Sequence, residues 1–167
     1  MVTLRQYVKV LQAQESFSED IERLNIEIIK IFGLDNLSKN DSDKKINDII
    51  EYISKDVEFI KKFNIGKKEF GFIPNLNKIT TGEWIDLENY QGKPEFFHKV
   101  MAILYRPITK KYKDLYEIEP YLGTEEFEDL MLDIDVNIFK SVMVFFYRIE
   151  KELLVDSGIY IMKEEKI

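Results

Sequence analysis

His98 is the only histidine of the chain and its one side chain that ordinarily exchanges a proton near neutral pH. A catalytic histidine needs a positioned partner, and the neighbouring Phe97 and Lys99 supply none. The sequence therefore predicts a structural or exposed His98. Asp133 and Asp135, with Glu126 and Glu128 nearby, are the residue types that hold a hard cation through oxygen. A metal-dependent hydrolase using Asp133, Asp135 or Glu128 is the chemistry they would support. No calcium loop with its required glycine accompanies them. The simpler reading is a helix junction, where aspartate stabilises the next N-terminus. Glu83, Asp86 and Glu88 form a second acidic group. Paired carboxylates hydrolyse only when both face one cleft. If Gly82 opens a helix, Glu83 falls in its first turn, and a capping role suffices.

Gly66-Lys67-Lys68 lacks the frame of a phosphate loop and reads as a hairpin turn. Lys61 and Lys62 join Lys67 and Lys68 in one basic group, and Arg106, Lys110, Lys111 and Lys113 form another. In a chain of net charge -7, both read as solvated surface.

These residues must be positioned by elements whose pattern is mostly helical. Thr3 caps a first helix through Leu11, with Leu4, Tyr7, Val8 and Leu11 on one face. Ser16 and Glu19 have capping-box spacing ahead of a second helix carrying Ile21, Leu24, Ile28 and Ile31, and Gly33 is placed as its stop. Asn36 to Lys45 reads as a loop and helix start, with Asn40, Asp41, Ser42 and Asp43 as turn residues. Ile46, Ile49, Ile50 and Ile53 then form a helical stripe.

Character changes near Val57. Phe63 and Ile65 alternate with Asn64, and Phe70 and Phe72 with Gly71, which predicts a hairpin turning at Gly66-Lys67-Lys68. The flanking helix could extend as far as Lys61. Thr80 to Glu83 offers another helix start, with Trp84 and Leu87 inward. Pro94 suits a first helical position, and Phe97, Val100, Met101 and Leu104 continue a stripe until Pro107. Tyr112 to Tyr121 reads as a strand or an extended connection. Thr124 with Phe127, Leu130 and Met131 reads as a short helix, followed by a longer one from Val136 to Leu154 and a terminal strand from Ile159 to Met162. The expected fold is one α+β domain, mainly helical with a small β-hairpin: helical over 1–56, hairpin over 59–75, helical over 80–154.

Length and composition bound the function. A chain of 167 residues can bury a real core, and its composition is that of a globular protein. The acidic balance disfavours specific nucleic-acid binding. The absence of cysteine excludes disulfides and thiolate sites, and a single histidine excludes a clustered-histidine metal site, so no cofactor is expected. The N-terminus lacks a secretory pattern, and the most apolar stretch, Ile138 to Tyr147, is interrupted by Lys140 and Ser141. The expected location is a cytosol, or an assembly built there, with no membrane partner. Twelve Phe and nine Tyr exceed what a small enzyme needs; a thick core or burial against neighbouring subunits would account for them.

Several stretches carry a resemblance when read together. They are Gly66-Lys67-Lys68 with Phe72-Ile73-Pro74-Asn75-Leu76, Ile79 through Glu88, Phe97 through Ile108, and Phe145 through Leu154. Together they resemble small proteins from the virion gene blocks of tailed bacteriophages, particularly crAss-like phages. The resemblance covers roughly residues 60 to 155. It implies a non-enzymatic structural or packaged component at the portal, tail or capsid interior. The alternative it implies is a soluble assembly chaperone for tail or portal proteins in the host cytoplasm. Its partners would be other phage structural proteins, in multiple copies. Trp84, Tyr105 and Arg106 are the expected contact anchors, because these residue types are enriched at interface hot spots.

Overall fold

The computed structural model describes residues 1–156. Helix α1 (Leu4–Ser16) opens on a reciprocal capping box. The Thr3 hydroxyl accepts the Gln6 N–H at 3.2 Å, and the Thr3 N–H donates to Gln6 Oε1 at 3.0 Å. The helix continues past Leu11, so Ser16 lies within it and caps nothing. Asp20 caps α2 (Ile21–Ile31) instead, its carboxylate accepting the Arg23 N–H. Gly33, at φ +64°, ends α2 in a Schellman arrangement: its N–H donates to the Lys30 carbonyl and the Leu34 N–H to that of Ile29. Helix α3 (Lys39–Ser54) takes in Asn40 to Asp43, which the sequence reads as a turn. The Ser38 hydroxyl accepts the Asp41 N–H, and Asp41 in the first turn suits the helix dipole.

α3 ends well short of Lys61. Strands β1 (Lys62–Ile65) and β2 (Lys68–Phe72) then form the predicted hairpin, with Gly66 at φ +58° at the first position of a two-residue turn. Helix α4 (Thr81–Tyr90) follows, and a 3-10 turn (Pro94–Phe96) leads into α5 (Phe97–Leu104), with Pro94 at its opening as expected.

The helical reading of 80–154 is corrected at Tyr105. There the chain passes directly into β3 (Tyr105–Tyr112), which returns as β4 (Leu115–Ile118). Pro107 disfavours helical backbone at the residue before it, so extended backbone begins upstream of the proline rather than at it. The sheet is antiparallel in the order β1-β2-β3-β4, with a register irregularity between Ile108 and Lys110. A single turn, α6 (Glu128–Met131), and the long α7 (Val136–Asp156) complete a mainly helical α+β domain. The strand expected over Ile159 to Met162 lies outside the described residues.

One face of the sheet is covered by helices. Phe70, Phe72 and Tyr105 pack with Leu4 and Val8 of α1, Met101 and Leu104 of α5, and Phe139 and Val142 of α7. Phe72 alone meets the rings of Phe59, Tyr105 and Phe145 edge-on. Much of the aromatic surplus is therefore core. Two clamps fix the layers. Leu4 and Arg5 donate backbone N–H groups to the carbonyls of Ile134 and Leu132, and Val136 donates to Val2. At the other side, the buried Ser141 hydroxyl accepts the Ile60 N–H, while Tyr105 donates to the Ile60 carbonyl.

Candidate functional site

A buried polar arrangement centred on Arg106 lies on the sheet face turned away from this core. Successive strand residues point to opposite faces, so Tyr105 enters the core while Arg106 emerges beside α4. Helix α4 presents Glu83 to it. The Thr80 hydroxyl accepts the Glu83 N–H at 3.3 Å, and the Thr80 N–H donates to Glu83 Oε2 at 2.7 Å. The other carboxylate oxygen, Oε1, accepts Arg106 Nη1 at 2.5 Å. Only 3% of Glu83 and 7% of Arg106 is exposed, so this is a buried ion pair. Burial alone would push the Glu83 carboxyl up, but the Thr80 hydrogen bonds and the Arg106 charge outweigh it and hold the group below the ordinary glutamate range.

Arg106 Nη1 also reaches the Ile103 carbonyl at 3.5 Å, whereas its buried Nε meets no acceptor. The Tyr121 ring lies 5.5 Å from the guanidinium, and its hydroxyl donates to Asp86 at 2.5 Å. Burial and then Asp86 push the Tyr121 hydroxyl pKa up. Arg106 lines an open cleft of about 480 Å³, whose other walls include Pro74, Asn75, Lys78, Ile118 and Pro120.

The expected anchors separate. Tyr105 is wholly buried and Arg106 nearly so, each committed to an internal partner, so neither offers a surface contact. Trp84 does not point inward as expected: it is 56% exposed, with Ile85 uncovered beside it. Glu83 occupies the inward position of that turn, because only there can it serve both cap and Arg106.

The other candidates disperse. Asp133 accepts from Arg5 Nε at 3.0 Å. Asp135 accepts the Asn137 N–H at 2.8 Å and the Tyr52 hydroxyl, so it is the aspartate at a helix start that the sequence reading proposed. Glu128 pairs with Lys99 at 3.3 Å and accepts the Thr124 hydroxyl. Among the described residues, no three His, Cys, Asp or Glu side chains gather where they could hold a metal ion. His98 is half-buried, with Nδ1 enclosed and lacking a partner. Burial pushes its pKa down, and the charge of Glu128 offsets that only in part. Lys110 and Lys111 pair with Glu117 and Glu69, while Lys61 and Lys62 lie over the Tyr116 ring.

A second feature lies at the N-terminal helices. α2 buries none of its residues, and α3 buries only Ser42, despite their isoleucine stripes. Leu11, Ile28, Phe32, Ile46, Ile49 and Ile53 line an apolar groove of about 310 Å³ between α1, α2 and α3. Ile21 is 69% exposed and Ile50 55%. Among the described residues, no helix is long and apolar enough to cross a membrane.

The sequence carried one part of the Arg106 site openly, the Thr80-x-x-Glu83 box. The pairing with Arg106 spans a turn, two helices and a helix-to-strand transition, and nothing local announces it. No protein-family model, curated protein or solved structure matches the chain.

Proposed function

We propose that this protein acts by packing against other proteins, as a structural or packaged component of a tailed-phage particle at the portal, tail or capsid interior. The observation that carries the packing part is the incomplete burial of α2 and α3. Two amphipathic helices, together spanning 27 residues, bury a single side chain, a serine. Helical stability in proteins comes mostly from packing an apolar face, so such stripes are built to be covered. Exposed Trp84 and Ile85 on α4 add a second apolar patch with an aromatic of the kind that anchors interfaces. The phage assignment rests on the resemblance of residues 60 to 155.

Quantitative mass spectrometry of purified particles, alongside infected-cell lysate, tests the reading. A fixed copy number relative to the portal protein is the expected result. Presence in the lysate alone would overturn it in favour of an assembly chaperone. Absence from particles of a phage that expresses the gene removes the structural role.

A further inference from the structure

Strand β1 ends the sheet, so one of its edges has no neighbouring strand. The Phe72 N–H donates to the Lys61 carbonyl at 2.9 Å, and antiparallel pairs alternate between bonded and unbonded. Lys61, Phe63 and Ile65 therefore turn their backbone groups toward β2, while Lys62 and Asn64 turn theirs outward. Both outward residues are exposed. Phe63 and Ile65 pack against the core but are only half-buried, so apolar surface remains beside the edge. Lys62 and Asn64 alternate with them and take the opposite face. Charge narrows what can pair there. Lys61, Lys62, Lys67 and Lys68 flank or lie on β1 and its turn, and among the described residues none of them forms an ion pair. Glu69, opposite Asn64 on β2, is already held by Lys111. A second copy of β1 would bring lysine against lysine, and like charges facing across strands oppose pairing. The same charges favour a strand of opposite sign.

We propose that the free edge of β1 receives an extended segment of a partner protein in which apolar and acidic residues alternate. Its backbone pairs with Lys62 and Asn64, its apolar side chains extend the face of Phe63 and Ile65, and its carboxylates meet the lysines. This surface is separate from α2, α3 and Trp84, and the inference does not depend on the phage assignment. The probe is the peptide acetyl-Glu-Val-Glu-Val-Glu-Val amide, with its lysine-for-glutamate counterpart as control. Nitrogen-15 correlation spectra and amide hydrogen exchange follow the Lys62 and Asn64 N–H groups. The expected result is a saturable shift at both, with exchange at both slowed about tenfold or more at saturation. The lysine peptide should bind about tenfold more weakly, and added salt should narrow the difference. Asn64→Pro removes one outward N–H at a position where an edge strand tolerates proline, so it should abolish binding while the fold is kept. Should it not fold, Lys62→Glu with Lys67→Glu should reverse the preference between the two peptides. The proposal is overturned by no saturable shift with the acidic peptide, by equal binding of the lysine peptide, by unchanged binding in Asn64→Pro, or by an unreversed preference in the double variant. It is equally overturned if self-association protects the same two amides without any peptide, which would assign the edge to a second copy.

Discussion

Gly71→Ala puts the outer face of the sheet under a defined load. Gly71 lies opposite Lys62 on β1 and Arg106 on β3, in backbone that any residue can adopt. What it supplies is room. A Cβ there would stand 2.4 Å from Tyr116 Cε2 and 3.0 Å from Ile108 Cγ1. The Tyr116 ring is buried across the glycine, its hydroxyl donates to the Phe72 carbonyl at 2.7 Å, and burial pushes that hydroxyl pKa up to about 12. The ring cannot yield locally, so it must swing out. Uncovering much of an aromatic side chain costs about 2 kcal/mol. Losing the hydrogen bond costs about 1 kcal/mol more. The better backbone propensity of alanine returns about 0.5–1 kcal/mol. The net loss is about 2 kcal/mol, or roughly 4–8 °C in Tm for a chain of this size. Urea unfolding followed by circular dichroism measures it. In a Tyr116→Ala background the closest obstruction is gone and only the Ile108 side chain at 3.0 Å must give, so Gly71→Ala should become nearly neutral, a coupling of about 2 kcal/mol in the double-mutant cycle. A loss below about 0.5 kcal/mol in the native background, or the same loss in both, would refute the steric argument.

Glu83→Gln should destabilise by about 3 kcal/mol, because it leaves a buried guanidinium without its counter-charge. The depressed carboxyl contributes stability that is full above the glutamate pKa of the unfolded chain and is lost as pH falls through the lower folded value, so the variant should show a flatter acid limb in urea titrations from pH 6 to pH 3. His98 should titrate by NMR below the ordinary value of about 6.5, and stability should decline as pH drops from there toward its folded pKa; a midpoint above 6.5 would contradict the burial argument. Ser141→Ala should cost about 1–3 kcal/mol by stripping the Ile60 N–H of its acceptor, and hydrogen exchange at Ile60 should accelerate.

Where the determinants were local, the sequence was readable. Thr3 with Gln6 and Thr80 with Glu83 each form the cap that their position predicts, and Gly33 and Gly66 sit where positive φ is needed. Ser16 and Ser38 show the limit of such reading: both can cap, and only the residues that follow decide which one does. β4 falls within Tyr112 to Tyr121, which reads as a strand or extended connection, but β3 was obscured because α5 runs into it with no intervening glycine or loop, and Val100, Met101 and Leu104 satisfy a helical period up to the junction. The site was less legible than the fold. Residue type alone placed Tyr105 and Arg106 at a surface, but a tyrosine hydroxyl and a guanidinium can equally satisfy buried partners, and here Ile60 and Glu83 claim them. Those partners lie 45 and 23 residues upstream, beyond any periodic signal.

The tie between Val2 to Arg5 and the 132–136 junction also sets a timetable. The Leu4 N–H finds its acceptor on Ile134, a residue that leaves the ribosome about 130 positions later. At synthesis rates of about 5–20 residues per second, α1 waits on the order of ten seconds for it. During that interval α2, the sheet and α5 become available to cover the apolar face of the first helix, while its backbone tie to the junction is still missing. The start of the first helix is thus tied down only once the 132–136 junction exists, and that tie closes a loop over most of the chain.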